Sequence, residues 1–212
     1  RPSSLPTSWK LIYGYLMGPG TASIGGANLN GAILTGADLT GADLYYADLT
    51  DAVLTDAALT EVNLAGADLN GVRSGGITFT GTTPSLPILG SWKLISGYLI
   101  GFGADLTNAD LTGADLSQAI LTDADLSGAD LSGAQMAGAY LELANLAGAN
   151  LAGAVLTGAN FTSANLTGAN LNGADFTDAV LVGSDLEGAT LEQAVFCRTI
   201  MPDGTPRSEG CP

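Results

Sequence analysis

The chain of 212 residues contains 21 Asp and Glu, two Cys and no His. Carboxylates and thiols therefore carry most of its conceivable chemistry. A facing pair of carboxylates is what glycoside hydrolysis uses, and clustered carboxylates can hold a divalent cation. Two thiols can form a disulfide or contribute half of a zinc site. The lack of His removes the commonest general base and metal ligand, and two Cys with no further Cys or His beside them make a poor metal site. Only 6 Lys and Arg oppose the acids, leaving a net charge of −15, which argues against binding a nucleic-acid backbone. No cofactor is implied. What remains to be asked is where the acids and thiols are placed.

The acids are set by a period of five. GANLN, GAILT, GADLT and GADLY follow one another from Gly26, and the frame runs through Leu29, Leu34 and every fifth residue to Leu69, then from Leu106 to Phe196. These are 28 repeats, whose centres are Leu except at Met136, Phe161, Phe176 and Phe196. The residue two places earlier is Ala except at Val62 and Ser184. Five matches neither the 3.6 of a helix nor the 2.0 of a strand. A coil with four corners resolves this: each pentapeptide forms one side, four make a turn, and every centre and the Ala two before it point inward. Coils then stack at roughly 4.7–4.9 Å. Eleven of the 21 acids fall one place before the centre, facing outward on a flat side with no cleft to exclude water. A glycosidase reading and a specific cation site are accordingly disfavoured against a solvated face. Mean hydropathy is +0.31, yet polar residues and Gly break every apolar run short of the roughly 18 residues of a membrane span.

The tandem A-[DN]-L-x-x pattern, as in Ala37-Asp38-Leu39 or Ala149-Asn150-Leu151, resembles the pentapeptide-repeat family over most of the chain. The resemblance implies an all-β fold, a right-handed quadrilateral β-helix with about 20 residues per coil, and no catalytic residue. Some members act on DNA gyrase by presenting an acidic rod shaped like duplex DNA. That is the alternative to a non-enzymatic scaffold or binding solenoid with an unknown protein partner.

Two stretches interrupt the frame and resemble each other, SWKLIYGYLMGPG at Ser8–Gly20 and SWKLISGYLIGFG at Ser91–Gly103, offset by 83 residues. Both keep a degenerate five-step register and read as coil-like strands capping an array. Ile77 and Phe79 continue the first frame inward, so Thr80–Pro87 is expected to be pushed out as a loop. The expectation is one continuous solenoid: cap 1–21, first repeat block 22–79, loop plus duplicated segment 80–103, second block 104–196, and terminal cap 197–212. Two solenoids on a flexible linker are the alternative. The tail holds Cys197 and Cys211 around the turn signals Pro202-Asp203-Gly204. A disulfide closing it over the open last coil is expected, with two free thiols as the alternative. The tail CRTIMPDG and the leader GYLMGPG resemble those of exported cyanobacterial members, implying a periplasmic or thylakoid-lumen location, in keeping with an oxidised pair. The start at Arg1 is consistent with a removed export segment or with trimming.

Stacking at 20 residues places Asp105 beneath Asp125 and Asp110 beneath Asp130, an acidic patch with Asn145, Asn165, Asn150 and Asn170 continuing the columns. At the same outward position Ile120, Tyr140 and Val180 share a column interrupted by Asn160. They form a candidate docking stripe on an acidic surface. The column above Thr107 reads Ser127, Ala147, Thr167 and Glu187, so no Thr ladder supports ice binding.

Overall fold

The computed structural model describes residues 10–12, 15–17, 24–81, 83–87, 91–209 and 211. The chain packs as two units, Arg1–Leu99 and Ile100–Pro212. Each contains coils of a right-handed quadrilateral β-helix. Parallel bridges join residues 20 apart, Asn28 to Asp48 and Ile33 to Val53 in the first unit, Asp105 to Asp125 and Ile120 to Tyr140 in the second.

The pentapeptide explains each side. One residue bridges to the coils above and below. Its two neighbours in the chain, Ala before and Leu after, point inward, and the other two make the corner. At the corner the N–H of Ala32 donates to the carbonyl of Leu29 at 2.9 Å, and Gly31 takes a φ of 64°. Positive φ at the third residue only is the type II turn, for which Gly is the usual solution. Asp and Asn recur at the bridging position for a reason the solvated-face reading missed. Their Oδ1 accepts the backbone N–H two residues on, as Asp105 does from Thr107 at 3.1 Å and Asp48 from Thr50 at 3.1 Å. Each closes an Asx turn that leads the chain into the corner. The interior is Leu and Ala, sealed from water from Leu106 through Leu181. It widens to aromatics near its end, where Phe176 and Phe196 stack with ring centroids 5.3 Å apart.

Four details depart from the sequence reading. The segment β1 (Lys10–Ile12) pairs antiparallel with β2 (Tyr15–Met17), and β3 (Lys93–Ile95) pairs with β4 (Tyr98–Ile100). These stretches are hairpins instead of coil sides. Ser96 and Gly97 both have positive φ, 51° and 80°, the type I′ turn that matches the twist of two flanking strands. Secondly, Phe79 is 41% exposed and not inward. The frame is lost there because seven residues, where five is the rule, separate the bridging Thr78 and Ser85. Thirdly, the excursion is shorter than Thr80–Pro87: Ser85 is in the ladder against Asn63, its carbonyl accepting Leu64 N–H at 2.7 Å, while Pro84 and Pro87 are buried. Finally, burial does not persist to the last coil, since Leu186, Ala189, Leu191 and Ala194 are only half-buried.

The tail is a hairpin of β5 (Phe196–Ile200) and β6 (Pro206–Glu209), antiparallel. Cys197 and Cys211 are disulfide-bonded with Cα atoms 4.8 Å apart. The Arg207 guanidinium lies 4.6 Å from the Phe196 ring centroid, covering the end of the aromatic column by a cation–π contact. Thr199 replaces the inward Ala and donates its hydroxyl to the Phe176 carbonyl at 2.7 Å. Among the described residues, no helix is long and apolar enough to cross a membrane.

Candidate interaction faces

The second unit brings both acidic pairs together. Asp105 bridges Asp125 and Asp110 bridges Asp130, both in parallel register, on two columns one pentapeptide side apart. The columns then change character. Asn145 donates to Asp125 Oδ1 at 3.1 Å and receives Asn165 Nδ2 at 3.0 Å. Asn150 donates to Asp130 Oδ1 at 3.0 Å and receives Asn170 Nδ2 at 2.9 Å. An amide has both donor and acceptor, so it relieves the repulsion of stacked carboxylates and ties successive coils together. Among the described residues, no group of three or more His, Cys, Asp or Glu is arranged to hold a metal ion.

Three carboxyls are held below the usual aspartate value, one of them Asp203, which accepts hydrogen bonds from the Thr205 side chain and backbone. Asp130 is lowered chiefly by the Ser132 side chain and backbone, and Asp178 by hydrogen bonds and charge from Arg198, whose Nε lies 2.6 Å from Asp178 Oδ1. A lowered native value means that the contribution to stability is present above the ordinary value of 3.8 and is lost as pH falls through the native one. Thermal melts from neutral to acid pH should therefore show a smaller acid loss in Asp178→Asn than in the parent, and the difference should shrink in high salt because the pair is exposed. Identical pH profiles would remove the pair from the stability account.

The apolar stripe is also assembled. Ile120, Tyr140, Asn160 and Val180 bridge in sequence, and the column continues to Ile200 of β5. Tyr140 is 45% exposed, while Ile120, Val180 and Ile200 are half-buried. Sequence reasoning missed the corner beside this face. Leu143 is 58% exposed and holds a φ of 61°, and Val182, two coils on, is exposed as well. A bulky side chain in the left-handed region is a strained choice, and the same corner carries Asp123, Ser163 and Gly183 on neighbouring coils. Its signal in the sequence is an apolar residue at a corner position, Leu143 or Val182, where Gly or a polar residue is the rule. In the first unit, Tyr45 and Tyr46 form a separate exposed pair, ring centroids 4.3 Å apart, with the Tyr45 hydroxyl raised by its neighbour's hydrogen bond.

A family model described as pentapeptide repeats matches eight copies over residues 22–73 and 102–202. Among solved structures, one of a pentapeptide repeat protein of the Arabidopsis thaliana thylakoid lumen is 33% identical over 47% of this chain and 69% of its own, with a TM-score of 0.46. HetL, involved in heterocyst differentiation regulation in the cyanobacterium Nostoc, is 34% identical over 87% and 76%, with a TM-score of 0.26. QnrB1, a plasmid-mediated fluoroquinolone resistance protein, is 17% identical over 82% and 90%, with a TM-score of 0.31. No curated protein sequence matches significantly.

Proposed function

The chain belongs to the pentapeptide repeat family, and on that premise we propose that it is a non-enzymatic, extracytoplasmic binding solenoid whose outer face at Tyr140 docks a protein partner. The observation that carries this reading is Leu143, a large apolar side chain at an exposed corner with positive φ, beside the Ile120–Tyr140–Val180 column. The left-handed conformation costs a residue with a Cβ about 1–2 kcal/mol, and the side chain returns little of it to the fold while it faces water. The acids would speed encounter and the apolar stripe would hold the complex. A disulfide-closed tail and a lumenal relative support an oxidising compartment, periplasm or thylakoid lumen.

Two substitutions, neither of which should destabilise the fold, test the reading. Leu143→Gly should raise stability by about 1 kcal/mol, and Tyr140→Asp should change it little. Both should lower partner retention in pull-downs from the native compartment. Undiminished retention by either would sink the stripe. Recovery of gyrase in a salt-sensitive complex, weakened by neutralising Asp105, Asp110, Asp125 and Asp130, would establish the DNA-mimic reading in its place.

A further inference from the structure

The far end of the second unit is half open. The tail hairpin and Arg207 cover the side of the coil that holds Phe196. On the other side, Leu186 and Leu191 are half-buried, whereas Leu166 and Leu171 directly beneath them are fully buried. The bonds from Leu166 N–H to the Asp185 carbonyl and from Leu171 N–H to the Thr190 carbonyl are the last of their ladders among the described residues. Ser184 stands where the repeat calls for Ala. It is 7% exposed, and its Oγ is buried without a hydrogen-bond partner. A buried hydroxyl with no partner is costly and uncommon.

The first unit shows what completes such an end. There too a Ser, Ser74, is buried at an inward position, and its Oγ accepts the backbone N–H of Leu99 at 2.8 Å, while Ile77 N–H donates to the Gly97 carbonyl at 3.1 Å. The covering element is the β3–β4 hairpin. In a two-residue hairpin the closing pair exchanges its hydrogen bonds and the next pair turns its N–H and C=O groups outward, which is why Leu99 N–H is free to leave the ribbon. The chain carries a second copy of this hairpin. Residues β1 and β2 pair in the register Leu11↔Leu16 and Ile12↔Tyr15, and Leu16 is the sequence counterpart of Leu99 at the offset of 83.

Charge points the same way. Residues 1–37 contain no acid and two cations, Arg1 and Lys10, and residues 69–104 contain no acid and Arg73 and Lys93, so both copies of the hairpin lie in positive stretches of a chain of net charge −15. The open side of the last coil exposes Asp185, Glu187 and Glu192.

We propose that the open half of the last coil receives the amino-terminal hairpin of a second copy of the chain, with Leu16 N–H donating to Ser184 Oγ. Lys10 is drawn toward Glu187 and Glu192. The contact is head-to-tail, so an assembly of any length keeps one free end of each kind, and association continues beyond the dimer. It is independent of the face at Tyr140.

Sedimentation velocity over a concentration series of the disulfide-bonded chain tests it. The mean mass should climb without levelling at two copies, and rise less in high salt. Lys10→Glu should weaken association about tenfold, as should Glu187→Lys with Glu192→Lys, and the three together in one chain should restore it. Ser184→Ala should weaken association while leaving the melting temperature unchanged or higher, which a merely structural Ser would not do. A strictly monomeric chain, an assembly that saturates at a dimer, or association indifferent to Lys10→Glu would each overturn the proposal.

Discussion

Leu151→Asp should abolish the cooperative melt of the second unit. Leu151 is fully buried between Leu131 and Leu171 of the adjoining coils. The substitution loses about 1.5–3 kcal/mol of apolar burial and adds several kcal/mol for an unpaired charge in the interior. In a solenoid each coil contacts only its neighbours, so one broken coil in the middle uncouples those on either side. Circular dichroism should show a lost or split transition, whereas Leu151→Met should cost less than about 1.5 kcal/mol. A melt unchanged by the Asp would contradict an inward Leu151.

Opening the Cys197–Cys211 bond should give the next largest effect. It closes a segment with a sequence separation of 14, and the chain-entropy model assigns a loop of about 15 residues roughly 3 kcal/mol. The bond also holds the hairpin whose Arg207 covers Phe196. Cys211→Ser, or reduction, should lower the melting temperature and expose apolar surface to a hydrophobic dye. Titration of the denatured, unreduced protein should find no free thiol. Two free thiols, or a melt indifferent to reductant, would remove the bond from the account.

The coil itself was legible because its determinants are local: five residues specify one side and one corner, and their repetition multiplies a weak signal. The inward Leu and Ala, the stacking of Asp105 on Asp125, and the column of Ile120, Tyr140 and Val180 all follow from counting. What the count missed depends on contacts the period does not encode. The hairpins at Lys10–Met17 and Lys93–Ile100 keep a five-step rhythm, yet Ser96 and Gly97 form a turn that pairs the two strands with each other. Phe79 satisfied the pattern but lies where two extra residues lift the chain off the coil. Ser184 is one of two exceptions among the inward Ala residues, and only its place at an uncovered end gives it meaning. The Asp and Asn residues were read as a solvated face, though their role in Asx turns is as local as the corners they precede.

The claim that partners dock at the Tyr140 face is tested most directly by photocrosslinking. A photoreactive amino acid would replace Tyr140 in one protein and Asn150, two sides away on the same unit, in another. Each would be irradiated in an extract of the native compartment. The account predicts a discrete crosslinked product from position 140 that disappears in the Leu143→Gly background, and none from position 150. Equal products from both positions, or none from position 140, would contradict it.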